Sequence, residues 1–184
     1  MKTRTVIGID PGLARAGIAI VQRNRAGRYA LLHAALVKTE KTTPTPHRLK
    51  AVHEKVIGII NETPDLDGMA IERVFFGNNV SSAISTAQVI GVCSLAAVDA
   101  GLNVLEITPQ QAKAAVTASG IADKKVVKSR VEKLTGHLIR SEHEADAIAI
   151  AIAGIIQPVR KFCEGERVDR LAYCETMSCE RYDS

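Results

Sequence analysis

Aromatic side chains are nearly missing from this chain of 184 residues, which has no Trp, three Tyr and three Phe. Any ring-stacking role therefore falls on very few positions, and two of the three Phe are neighbours, Phe75 and Phe76. Cysteine is sparse as well. Cys93, Cys163, Cys174 and Cys179 show no C-x-x-C spacing, which argues against a structural zinc site or a thiol-redox motif. Reduced thiols of a cytoplasmic protein are the expectation. No apolar run approaches the roughly 20 residues of a membrane span, the longest being AIAIAIAGII at 147–156. The opening MKTRTV leads directly into a strand-like run with no leader-type segment, so a soluble, cytoplasmic protein without membrane attachment is expected. Repeats and low-complexity tracts are absent too.

What is present is a composition 46% hydrophobic, enough to bury one sizeable core, so a single domain is expected. Net charge is +4, but residues 157–184 hold five Lys/Arg against six Asp/Glu, which leaves +5 on residues 1–156. A basic body suits a polyanionic partner. Residues 158–184 lack a period and a dense apolar set, and are expected to form a flexible tail beyond a domain spanning 1–157.

VIGI (6–9), RAGIAIV (15–21) and YALLHAALV (29–37) read as three strands joined by the turns PGLA and NRAG, hence an antiparallel meander. A Pro-broken loop follows. HRLKAVHEKVIGIINE (47–62) sets Leu49, Val52, Val56 and Ile59 on one helical face. GMAIERV (68–74) is a short buried strand, 81–101 a long helix and NVLEI (103–107) a fifth strand. Thr108 and Asp123 are N-cap candidates for helices over TPQQAKAAVT and KKVVKSRVEKLT. In SEHEADAIAIAIAGII (141–156) the Ile/Ala alternation mimics a strand, but alanine content and length favour a buried helix. The order βββαβαβ followed by helices predicts an α/β or α+β layered domain, a five-stranded mixed sheet flanked by helices.

Three acids break apolar contexts. Asp10 ends the first strand before a Pro-Gly turn, Glu72 lies in AIERV, and Asp146 stands early in the buried helix. Individually each has an ordinary explanation, as turn cap, surface glutamate or helix N-terminal acid. Jointly, Asp10 and Glu72 interrupting two strands points to one acidic site, provided those strands are neighbours. His143 shares a helical face with Asp146 at spacing three, and Glu142 shares one at spacing four, so spacing alone leaves both open. Clustered carboxylates repel and raise one another's pKa, and a hard divalent cation such as Mg²⁺ or Mn²⁺ relieves this.

GIDPGLARAGIAIV, IERVFFGNN with the following SSA, and EADAIAIAI, with ITPQQAKAAVT and SG between them, resemble the RuvC family of Holliday junction resolvases over residues 5–157. The resemblance implies an RNase H-like fold and a metal-dependent endonuclease that resolves four-way DNA junctions by symmetric paired nicks in recombination and repair. A metal-activated water would attack the phosphodiester, leaving 5′-phosphate and 3′-hydroxyl. It also implies two Mg²⁺ or Mn²⁺ ions held by Asp10, Glu72 and Asp146, with His143 where many members have a further aspartate. An imidazole there leads us to expect a preference for Mn²⁺, and leaves open a proton-transfer role instead.

For DNA binding, the resemblance matches Phe75 to a base-stacking aromatic and Lys113 and Lys124 to backbone-binding lysines. The resemblance also matches Asn79 and Ser82 to a polar loop expected to face the junction, and Arg73 is a basic residue beside the motifs. A homodimer is implied, with the small-residue stripe Ala83, Ala87, Ile90, Ser94 and Ala97 as candidate interface, and the RuvA–RuvB branch-migration complex as partner. Three alternatives stand beside this reading. An actin-like ATPase opens on a similar GIDPG but needs a second phosphate loop, which is not visible. A RuvX-like ribosomal RNA processing nuclease is disfavoured by FFGNN and the extra helices. A catalytically weak junction-binding module is kept open by the histidine.

Overall fold

The computed structural model describes residues 2–74 and 80–157; Phe75, Phe76, Asn79, Cys163, Cys174, Cys179 and the expected tail lie outside them. Strands β1 (Arg4–Asp10), β2 (Arg15–Arg23) and β3 (Tyr29–Lys38) form the antiparallel meander, and β4 (Gly68–Glu72) and β5 (Val104–Ile107) extend it with parallel pairing. The sheet order is β3-β2-β1-β4-β5, so β1 and β4, the strands that carry Asp10 and Glu72, are direct neighbours. Helices α1 (Thr45–Glu62) and α2 (Val80–Asp99) cover one face, and α3 (Pro109–Thr117), α4 (Lys124–Thr135) and α5 (Glu142–Ile156) cover the other.

Strand alternation divides the core in two. Ile7, Ile9, Ile18, Ile20, Met69 and Ile71 meet Val52, Val56 and Ile59 of α1 and Val89 and Cys93 of α2. On the opposite face the same strands present Val6, Gly8, Gly17, Ala19 and Ala70 to α5. These small residues let the helix lie almost on the backbone of the sheet. A Cβ added at Gly8 would collide with the Ala147 carbonyl oxygen, and one at Gly17 with that of His143.

The Ile/Ala alternation of 147–156 is helical, as expected, and every residue from Ala147 to Ile155 is buried. The helix is apolar all round because it is covered twice, by the sheet on one side and by α3 and α4 on the other. Thr108 caps α3 in a complete capping box, Asp123 caps α4 through the Val126 N–H, and Ser141 caps α5 through the Glu144 N–H.

Two expectations about α2 are corrected. This helix has 20 residues with a mean hydropathy of 1.5 over its most apolar window, long and apolar enough by length and composition to span a membrane. Serines and threonine scattered through it hid that from a search for unbroken apolar runs. The small-residue stripe does not face outward as a unit, since Ala83 and Ala97 are buried beneath the helix while Ala87 is exposed. The outward face instead carries Val80, Ile84, Leu95 and Val98, each more than half exposed.

Candidate metal centre

Asp10 closes β1, and its side chain projects on the same face as Val6 and Gly8, toward α5. Glu72 closes β4 in the position after the Ile9–Ile71 pair and has the parity of Ala70, so it projects to that face too. The first turns of α5 come down over these two strand ends. Gly17, paired with Asp10 across β1 and β2, leaves the space in which the His143 backbone sits. The Nδ1 of His143 thereby comes within 2.7 Å of Asp10 Oδ2. Asp146, one turn further on, faces the same cluster. Of the two residues that spacing left open, His143 turns to Asp10, whereas Glu142 turns to Lys124.

The electrostatics are those of an acid cluster short of positive charge. Burial, then repulsion from Asp10 and Asp146, pushes Glu72 up to about 7, against the pull of Lys124 and Lys113. Burial raises Asp10, opposed by the hydrogen bond and charge of His143 and by Lys124. Asp146 is raised by burial and by Asp10, with Lys124 and His143 acting the other way. Three carboxylates that disfavour one another's ionisation fit a site completed by hard cations. Among the described residues, no three His, Cys, Asp or Glu side chains are already drawn together tightly enough to grip an ion. With Nδ1 directed at Asp10, the ring nitrogen of His143 left for ligation in this rotamer is Nε2.

The basic residues fall into two groups. The ammonium of Lys124 stands 3.1 Å from Glu142 Oε2 and 3.8 Å from Asp146 Oδ2, at the rim of the cluster, and Lys113 on α3 is near enough to act on Glu72. Arg73 instead leans on Glu106, 3.6 Å away, along the end of β5. Ser82 is exposed on the first turn of α2. Phe75 and Asn79, on the connection between β4 and α2, lie outside the described residues. The sequence reading missed the small-residue surface of Gly8 and Gly17 that seats α5. Two glycines on neighbouring strands of an otherwise apolar sheet were the available signal.

The family profile described as "Crossover junction endodeoxyribonuclease RuvC" matches residues 6–154. The crossover junction endodeoxyribonuclease RuvC of Mycobacterium leprae is 39% identical over 150 residues, covering 80% of this chain and 79% of that protein. That of Bifidobacterium adolescentis is 32% identical over 168 residues, covering 90% and 86%. Among solved structures, Thermus thermophilus RuvC in complex with Holliday junction substrate superposes with a TM-score of 0.78 at 31% identity, covering 84% of this chain and 94% of that one. The yeast mitochondrial Holliday junction resolvase Ydc2 matches with a TM-score of 0.57 at 14% identity, a likeness of fold.

Proposed function

Because this chain belongs to the RuvC family of crossover junction endodeoxyribonucleases, we propose that Asp10, Glu72, Asp146 and His143 form the centre at which it hydrolyses phosphodiester bonds of four-way junctions. It is a divalent-metal-dependent endonuclease that resolves Holliday junctions. The observation that carries the assignment of the centre is the convergence of three mutually destabilised carboxylates, Glu72 raised to about 7, at one end of the sheet. Two divalent ions, when bound, supply the positive charge that lets all three acids ionise, together with the Lewis acidity that activates water and stabilises a leaving oxygen.

The residues divide the remaining work. Asp10, Glu72 and Asp146 hold the ions. His143 fixes the Asp10 carboxylate through Nδ1 and offers Nε2 as a nitrogen ligand, for which Mn²⁺ is the better match than Mg²⁺. Lys113 and Lys124 meet backbone phosphates beside the scissile bond, and Arg73 and Ser82 flank that track. Phe75 stacks on an unpaired base at the crossover, and Asn79 contacts the same DNA. Cutting two strands symmetrically calls for a two-fold dimer. The apolar outward face of α2, with Val80, Ile84, Leu95 and Val98, supports that helix as its seam. The RuvA–RuvB branch-migration complex is the proposed partner, on family resemblance alone.

The test is cleavage of labelled four-way junction, linear duplex and single-stranded RNA in Mg²⁺ or Mn²⁺ by the wild type and Asp10→Asn. Paired symmetric nicks confined to the junction and abolished by Asp10→Asn are expected. Full cleavage by Asp10→Asn rejects the assignment of the centre.

A further inference from the structure

Glu142 is not among the groups assigned to the centre, although its charge helps to raise Asp146, and it holds the ammonium at the rim of the cluster. Lys124 begins α4 and Glu142 begins α5, so two helix N-termini bring their first side chains together at the mouth of the acidic cluster. The ammonium is shared unequally, 3.1 Å from Glu142 and 3.8 Å from Asp146. Both members of the Lys124–Glu142 pair are well exposed, at 59% and 66%, and a pair so hydrated contributes little to holding the fold together. Its consequence lies in where it keeps the charge. Asp123 and Ser141 cap the two helices through their own backbone contacts, so neither helix start depends on the pair.

We propose that Glu142 is a positioning residue that keeps the Lys124 ammonium at the rim of the cluster and withholds it from DNA that does not enter the cluster. Duplex lying across the basic surface must break the Lys124–Glu142 contact before this lysine can neutralise a phosphate. A junction strand seated beside Asp146 meets the ammonium where it already stands. Glu142 thereby weakens binding to the wrong DNA more than to the right one, a discrimination made by an unfavourable contact. This inference rests on the reading of Lys124 as a phosphate-binding residue, and its test separates the two.

The experiment measures binding of full-length protein to linear duplex and to four-way junction in EDTA, across a salt series, for wild type, Glu142→Gln, Lys124→Gln and the double variant. Glu142→Gln is expected to tighten duplex binding by about two- to fivefold, the scale of one exposed ion pair, and to tighten junction binding less. Its salt dependence should steepen by roughly 0.9 in log K against log salt, one further phosphate contact. In the Lys124→Gln background the same substitution should change nothing. An equal gain in that background means a general charge effect and overturns the proposal, as does an equal gain on both DNAs, or none on either. If Lys124→Gln by itself leaves binding at the wild-type level, the phosphate-binding reading of Lys124 fails first and the proposal falls with it.

Discussion

The two faces of the sheet are built from opposite materials. Toward α1 and α2 the strands offer Ile7, Ile9, Ile18, Ile20 and Ile71, a layer of branched side chains that buries much apolar surface and keeps the helices at a distance. Toward α5 they offer Gly8, Gly17, Ala19 and Ala70, which bury less and bring a helix into backbone contact. Distance is what chemistry at the strand ends needs to eliminate. A carboxylate on a strand and an imidazole on a helix meet at 2.7 Å only if the helix lies close. One face therefore packs by bulky side chains and the other brings the helix close enough to aim.

The sharpest way to break this comparison is to change the chemistry without changing the packing. Asp10→Asn should lower junction cleavage by about 10²–10³-fold or more, the scale of losing one electrostatic stabiliser. Because burial raises the Asp10 pKa, the neutral amide should leave metal-free stability at pH 8 equal or higher, as read by urea unfolding. A loss of stability there would mean that Asp10 is structural.

Next come paired substitutions on the two faces. Ile7→Ala should cost about 2–5 kcal/mol while the molecules that remain folded cleave normally. Gly17→Ala must displace the His143 backbone. It should cost about 1–3 kcal/mol as an overpacked site, and also lower cleavage per folded molecule. Equal specific activity in the two variants would erase the distinction between the faces.

A gentler probe is pH. Glu72 stands near 7 in the folded chain against 4.5 in its ordinary state, so between those values the folded state holds more protons than the unfolded one. Stability from this group is therefore fully present below about 4.5 and is lost as pH rises through about 7. The metal-free protein should unfold at lower urea at pH 8 than at pH 5. Glu72→Gln should flatten that slope, and Mn²⁺ should restore stability mainly at the higher pH.

On the α1–α2 side, the proposed dimer should dissociate to monomer in sedimentation on Leu95→Lys without a lower thermal midpoint, since Leu95 is more than half exposed. The smallest effect concerns the proposed nitrogen ligand: His143→Asp should shift the proposed preference for Mn²⁺ toward Mg²⁺, seen as a changed ratio of cleavage rates at saturating metal.

Strands β1 and β2 were legible as short apolar runs bounded by turns, buried on both faces of the sheet, and α1 because Val52, Val56 and Ile59 recur at helical spacing. Asp10 and Glu72 could be picked out because each ends an otherwise apolar strand, and the sheet order that brings them together follows from β1 pairing with β4. Rotation about a helix axis was harder to read. In α2, apolar and small residues occur on every side, so nothing in the pattern distinguishes Ala83–Ala97 from Ile84–Leu95 as the outward stripe. In α5, Glu142 and His143 are successive residues that point about 100° apart, and only the seat provided by Gly17 determines which of them reaches Asp10.

Helix α5 is pinned to β1 at both ends. His143 meets Asp10 at the carboxyl end of the strand, and the Arg4 guanidinium donates to the Ile155 carbonyl at 3.0 Å where the strand begins. The helix and the strand thus act as a fixed gauge for each other, 133 positions apart in sequence at one pin and 151 at the other. Deleting one residue anywhere between Asp146 and Ile155 would turn one end against the other by about 100°, so that satisfying either pin would release its opposite. Such a change removes no acid from the sequence, yet it misdirects His143 and Asp146 together or frees the end of the helix. Length, as much as composition, is what this segment cannot trade away.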